Sequence, residues 1–400
     1  MTEPVPARPA TLAPFGALSF AYFASVGLFN PYAPLWFQSL GLTTLAIGSI
    51  ASLQAWTRVV APYAWAWAGD HWEHGARRVT LLRGAALLAL AVAALLPLAH
   101  DTRSVTLVVV LIFLANSAIV PLSEAALAQR LSDPQGMDVG RYGRVRLWGS
   151  IGFIASVALF GALFQATGIG GLPVATALMF ALLLGAVWRL PASHAGVAPA
   201  AGTAAPGVWA VLRRPAVAWF FAGVFFTVLA HTALYVFFSL YLDSLGYGKA
   251  AVGALWAVSV LAEVVFFWHQ GRWFARWDAH SWLVVAAAAT ALRFAGLALF
   301  ASVWPLLVAL QLLHALSFAA QHAACISVIN RHFHGSLRGR GQALYTVLGY
   351  GLSGVLGGVA GGAVVQQAGY PAVFAAAAAV AVLASACCWR SLVLDRRSMP

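Results

Sequence analysis

The sequence predicts an all-α membrane protein of twelve transmembrane helices arranged as two six-helix bundles. Three observations carry that expectation. Hydrophobic residues fill 62% of the 400 positions and charged residues only 8%, against roughly 25% charged in an ordinary soluble domain; the mean hydropathy is +0.84. The apolar residues gather into about twelve stretches of roughly 20 residues, the length at which a helix crosses hydrocarbon. One segment poor in bulky apolar residues divides those stretches six and six. Barrel strands would be shorter and would alternate in polarity, which these stretches do not.

The stretches run over 14–39, 43–68, 79–99, 105–129, 147–167, 171–189, 216–242, 250–270, 281–301, 304–329, 342–367 and 371–389. The thirteen residues before the first hold one Arg and no small-residue cleavage site, so the first stretch is expected to stay as a helix. Residues 191–209 are rich in Ala, Gly and Pro and read as a flexible linker. The expected division is an N-terminal bundle over 1–190, a cytoplasmic linker over 191–215 and a C-terminal bundle over 216–400.

A net charge of +12 invites a nucleic-acid reading, but its placement argues against one. With the N-terminus in the cytoplasm, 19 of the 23 basic residues fall on the cytoplasmic side. That bias is the positive-inside rule, and it puts both termini in the cytoplasm. Cys325, Cys387 and Cys388 lie within apolar stretches, so neither a disulfide framework nor a CxxC metal pattern is expected.

The halves look related. Ser39-Leu40-Gly41 followed by Ala46-Ile47-Gly48 recurs as Ser244-Leu245-Gly246 followed by Ala251-Val252-Gly253, at a constant offset of 205. Parallel repeats of this kind place a solute site at their interface. In the eleventh stretch Gly354, Gly358 and Gly362 form one row and Gly357 and Gly361 another. Such spacing lets helix backbones approach closely, for static packing or for sliding.

Ionisable side chains in mid-membrane are expensive, so they face a polar interior and mark function by default. Four are expected there: Arg58, Glu124, Glu263 and Arg293, two of each sign, one of each sign per half. Ser117 falls seven residues before Glu124 and is expected to share its face. Gln54 and Ser259 stand one turn before Arg58 and Glu263. Gln311, His314, Gln321, His322 and Cys325 form one polar stripe, and Thr227, His231 and Tyr235 another, suited to the wall of a hydrated cavity. Static interhelical pairing or packing is the plainer alternative for each charge and histidine. The pair His332 and His334 lacks carboxylate or thiolate company nearby in sequence, so no metal site is expected. No P-loop is present, which disfavours ATP-driven transport. A carboxylate in an apolar cavity can carry a proton, and Glu124 and Glu263 are the candidates.

Tyr142-Gly143-Arg144-Val145-Arg146-Leu147-Trp148-Gly149-Ser150, together with Arg58, Pro121-Leu122-Ser123-Glu124, Ala262-Glu263, Arg293, His314 and His322 in order, resembles the phenylpropionate permease family of the major facilitator superfamily and the related lactose-permease-type proton symporters. The resemblance implies the major facilitator fold and proton symport. It implies a Glu124–Arg146 pair at the substrate site. Arg58, Gln54, Asn30, His231 and Tyr235 are expected as further substrate-binding residues. The resemblance implies that Glu263 couples substrate to proton and that Arg293 and His314 belong to the proton network; His322 is expected to join them. Ser317 stands where lactose permease carries a proton-bearing carboxylate, which moves that role elsewhere and weakens a sugar assignment. Gly69, Asp70, Arg77 and Arg78 form a degenerate match to the superfamily's conformational loop between helices 2 and 3.

The expected function is proton-coupled uptake of a small organic solute in a bacterial inner membrane, with an aromatic carboxylate such as 3-phenylpropionate preferred. An oligosaccharide or nucleoside symporter is the alternative; an exporter or a non-transporting receptor ranks lower. The expected partners are the solute, protons and lipid, with no nucleic acid, no cofactor and no catalytic residues, in a monomer.

Overall fold

The computed structural model describes residues 12–71, 76–133, 136–191, 207–334 and 337–397. The chain opens with α1 (Ala13–Ser39), α2 (Thr44–His71) and α3 (Ala76–Ala93). The fourth stretch is split into α4 (Thr102–Asn116) and α5 (Ile119–Leu131). A two-residue ladder follows, β1 (Ser132–Asp133) antiparallel to β2 (Gly136–Met137) with Ser132 opposite Met137. Next come α6 (Val139–Thr167) and α7 (Leu172–Trp188). A short α8 (Val208–Leu212) precedes α9 (Pro215–Ser244), α10 (Lys249–Phe274) and α11 (Ala279–Phe300). The tenth stretch is α12 (Trp304–Leu312), a π-helical segment Ala315–Ala320 and α13 (Gln321–His332). The chain ends with α14 (Arg338–Leu344), a second π-helical segment Tyr345–Leu352 and α15 (Ser353–Arg397).

Among the described residues, nine helical spans are long and apolar enough to cross a membrane. The last covers 60 residues and reverses at Gly369, where φ 81° and ψ 175° leave the helix just before Pro371; it therefore supplies two passes. α1 and α2 have the length, at 27 and 28 residues, but carry more Pro, Asn, Gln and Ser. The arrangement is consistent with twelve passes. Its outer surface is apolar, with Leu98, Leu159, Trp268 and Leu299 all more than half exposed, as lipid permits and water penalises.

The helices outrun the apolar stretches at several ends. α2 continues to His71, α6 begins at Val139 and α15 runs to Arg397. Helical hydrogen bonding continues past the last apolar residue, where charged side chains reach polar surroundings. Gly69 and Asp70 accordingly lie in the end of α2, and Arg77 and Arg78 in the first turn of α3, so these four are not loop residues. Their side chains, and residues 72–75, lie outside the described residues, as do residues 192–206 of the expected linker. Acidic residues open three helices: Asp101, Asp138 and Asp278 accept backbone N–H groups at the starts of α4, α6 and α11.

The internal repeat has a structural counterpart. α1 and α9 end alike: Gly41 and Gly246 adopt φ of 82° and 84°, which a residue with a Cβ resists. Ser39 and Ser244 each bond back to the carbonyl three residues earlier, at 2.7 Å.

Among the described residues, two crossings between helices of opposite halves are lined by glycine. At one, Gly358 and Gly362 of α15 lie against Gly48 and Thr44 of α2; Ser52 Oγ donates to Val355 O at 2.7 Å. The second glycine row, Gly357 and Gly361, faces Thr232 and Phe237 of α9 instead. At the other crossing, Gly161 of α6 meets Lys249 and Gly253 of α10 meets Val157. The buried Tyr32 hydroxyl of α1 fills this corner, donating to Val157 O at 2.7 Å. Both crossings lie at the end of the molecule where α1 finishes and α2 and α10 begin.

Candidate functional site

Below these crossings is a cavity of about 390 Å³ lined from α1, α2, α6, α9, α10 and the α12–α15 region. Glu263 lies ten residues beyond Gly253 on α10, about 15 Å along the helix from the crossing. Three polar groups of opposite character meet in the wall: Arg146, Glu263 and His314. The rest is mainly apolar, part aliphatic and part aromatic, the rings including Phe23, Phe29, Phe153, Tyr235, Trp256 and Phe318, with the amides of Asn30 and Gln54 among them.

Arg146 belongs to the first polar centre. Its Nη1 stands 3.5 Å from Glu124 Oε1, and its guanidinium lies 4.8 Å from the centroid of Phe23. The hydroxyl of Tyr142, one turn earlier on α6, donates to Glu124 Oε2 at 2.8 Å. Glu124 lines a smaller recess beside the main cavity, and Arg146 lines both. The resemblance-based pairing of Glu124 with Arg146 is thus present in the geometry. Tyr142 as its third member was readable from its position four residues before Arg146; Phe23 left no sequence signal.

The second centre is buried in the C-terminal half. Arg293, with no exposed surface, donates from Nη2 to Gln311 Oε1 at 2.8 Å and from Nη1 to His314 Nδ1 at 2.8 Å. Its Nη1 also reaches Ser317 Oγ at 3.3 Å, and Ser259 Oγ donates to Gln311 Oε1 at 3.1 Å. Arginine only donates, so Nδ1 of His314 is the acceptor and the proton of the neutral ring sits on Nε2. That nitrogen faces Glu263 Oε2 at 3.6 Å. Arg293 does not line the cavity; it sets the ring that does.

The other expected site residues divide. Asn30, Gln54 and Tyr235 line the cavity. His231 does not: it is buried on α9, its Nδ1–H donating to Thr227 O at 2.8 Å and its ring against Phe294. His322 is also away from the cavity wall, its Nδ1 3.1 Å from the hydroxyl of Tyr345. The Arg58 side chain lies outside the described residues. Ser117 does not share a continuous helical face with Glu124, because the helix breaks between Asn116 and Ile119 and Ser117 Oγ turns back to Leu114 O.

With fold and site in view, the relatives are informative. The profile of the MFS_1 like family matches residues 15–376. The chain belongs to this family. It is 31% identical over 360 residues, 88% of this chain and 90% of the relative, to the probable 3-phenylpropionic acid transporter of Escherichia coli (strain K12). It is 30% identical over 295 residues to the maltose permease of Geobacillus stearothermophilus, covering 72% of each chain. Among solved structures, the nucleoside transporter NupG (D323A mutant) aligns over 96% of this chain and 99% of its own at 20% identity, with a TM-score of 0.76. The family's fold and its curated relatives make this chain a multi-pass membrane protein and a secondary transporter, not an enzyme.

Proposed function

We propose that the chain is a proton symporter for a small organic carboxylate bearing a ring, working in a bacterial inner membrane with both termini in the cytoplasm. One observation carries this reading: a single cavity has an arginine, a carboxylate and a histidine in a wall that is otherwise mainly apolar and includes several aromatic rings. Arg146 is the partner for the solute carboxylate, a charge-assisted bond that its Glu124 contact at 3.5 Å leaves room to exchange. The rings hold the apolar body of the solute. Arg293 is already committed to Gln311 and His314, which leaves the anion to Arg146. Glu263, 3.6 Å from His314, takes and releases the coupled proton. The 31% identity to a probable 3-phenylpropionic acid transporter favours the same solute class.

Access alternates by rocking an N-terminal bundle (1–190) against a C-terminal one (216–400), with 191–215 as the linker. In the conformation described, the two glycine-lined crossings close the end remote from the chain termini. With the basic residues marking the cytoplasm, the cavity serves the inward side.

A second reading, a sugar or nucleoside symporter, draws on Asn30 and Gln54 in the wall, amides that suit a hydroxyl-rich solute, and on the maltose permease relative. Proteoliposomes containing the purified protein decide between them. External pH is recorded while aromatic acids, sugars or nucleosides are added. Alkalinisation with aromatic acids alone, abolished by a protonophore, is expected. Alkalinisation with sugars or nucleosides alone would establish the second reading, and no pH change with any solute would remove proton symport.

A further inference from the structure

Far from the cavity, at the end of the molecule carrying the C-terminal residues, three helix ends bring a nitrogen–nitrogen–oxygen donor set together. His280 is the second residue of α11, His332 closes α13 and Asp395 stands two residues before the end of α15. His280 Nδ1 lies 3.5 Å from Asp395 Oδ2, and His332 Nε2 lies 3.5 Å from Asp395 Oδ1. The donor atoms of the three residues all fall within 4.8 Å of one another. His280 and Asp395 are 1% and 3% exposed.

We propose that this cluster binds a divalent transition-metal ion, zinc by its donor set. The spacing supports it. Both carboxylate–imidazole separations are long for a hydrogen bond, and His332 Nε2, though buried, has no hydrogen-bond partner. Yet each imidazole nitrogen stands 3.5 Å from one oxygen of Asp395, His280 from Oδ2 and His332 from Oδ1, and each separation is close to the edge of a tetrahedron of ligands around zinc, about 3.4 Å for bonds of about 2.1 Å; a turn of the carboxylate brings one oxygen towards both nitrogens. Two imidazoles and a carboxylate suit zinc, and three protein ligands leave a fourth position for water. The rings stand at 81° with centroids 6.0 Å apart, so they do not stack on each other.

Two cations oppose binding. Arg331 Nη1 donates to Asp395 Oδ2 at 3.1 Å, and Arg214 acts on His332. The Arg331 side chain is 48% exposed, free to turn into solvent when a metal takes its place. None of the three donor residues lines the cavity. The ion is therefore a resident that pins the ends of α11, α13 and α15 together, not a transported solute.

The test uses the tag-free full chain in detergent. Equilibrium dialysis is expected to find one zinc per chain, and cobalt is expected to give the intense visible bands of a tetrahedral site. His280→Ala and His332→Ala are each expected to weaken zinc by more than about 100-fold, beyond the 10–100-fold cost of losing an outer-shell partner. Asp395→Asn adds a third point if it folds. Wild-type binding no greater than that of the His280→Ala/His332→Ala double variant would overturn the site. So would an octahedral cobalt spectrum of the wild type, which decides the matter even if the variants unfold.

Discussion

The guanidinium of Arg293 donates to Nδ1 of His314 at 2.8 Å, and this one bond decides which nitrogen His314 presents to Glu263. With Nδ1 occupied as an acceptor, Nε2–H points at Glu263 Oε2, 3.6 Å away. Glu263→Gln keeps the size of the side chain and removes its ability to exchange a proton. Uphill accumulation driven by a pH gradient is expected to vanish while counterflow of solute persists. Both are measured in the same vesicles; full accumulation in the variant would take Glu263 out of the proton path.

Arg293 itself is expected to matter for stability as well as transport. Arg293→Met removes a buried donor from His314 Nδ1, Gln311 Oε1 and Ser317 Oγ. An orphaned buried polar group costs about 1–3 kcal/mol, so a clear fall in melting temperature in detergent is expected. Arg293→Lys keeps the charge but lacks the planar fork that reaches Gln311 and His314 together, and should fall between. A Met variant melting like the wild type would mean that the network does not stabilise the bundle.

The Glu124–Arg146 centre has a different signature. Arg146→Lys loses both the fork and the contact with the Phe23 ring, and an apparent KM raised by about 10-fold is expected, the effect of roughly 1.4 kcal/mol. Tyr142→Phe removes one hydrogen bond to Glu124 and should raise KM by less. These values come from initial uptake rates over a range of solute concentrations. If Arg146→Lys left KM unchanged, the arginine would not hold the solute.

At the crossing of α2 and α15 a side chain on Gly48 would run into the carbonyl oxygen of Gly358. Backbone atoms cannot give way as a flexible side chain can. Gly48→Val is therefore expected to prise this end open and slow transport. A cysteine placed at Thr44, which bonds Gly362 O at 3.3 Å, should become more reactive to a soluble maleimide in the Val background. Unchanged labelling would show that the crossing tolerates the extra bulk.

The apolar stretches, the glycine rows and the Tyr142–Ser150 motif around Arg146 were legible because each is a local pattern with a physical period or a dense signature. The helix break at Ser117 was not, since Asn116 and Ser117 interrupt an otherwise apolar run no more than polar residues elsewhere in the spans do, and hydropathy does not register where a helix breaks. Gln311 is visible in the sequence as polar, but not as the partner of Arg293, and the sequence sets His332 beside only His334. Asp395 comes to it from across 63 residues and His280 from across 52. Such meetings are set by where helix ends dock, and docking leaves no spacing in the sequence.

The two π-helical segments have a further consequence. In an α-helix each residue advances by about 100°, and a π turn holds one residue more than the α turn it replaces. It behaves like a dislocation in a crystal row: shifting the fault by one position turns the residue it passes by about 100° and leaves both ends of the rod in place. Ala315–Ala320 begins immediately after His314, and Tyr345–Leu352 ends two residues before Gly354. Migration of either fault would re-aim a side chain of the cavity wall, His314 at one and Tyr350 at the other, like a gear advancing one tooth, so the pitch of a single helix offers an adjustment that stays local to the cavity.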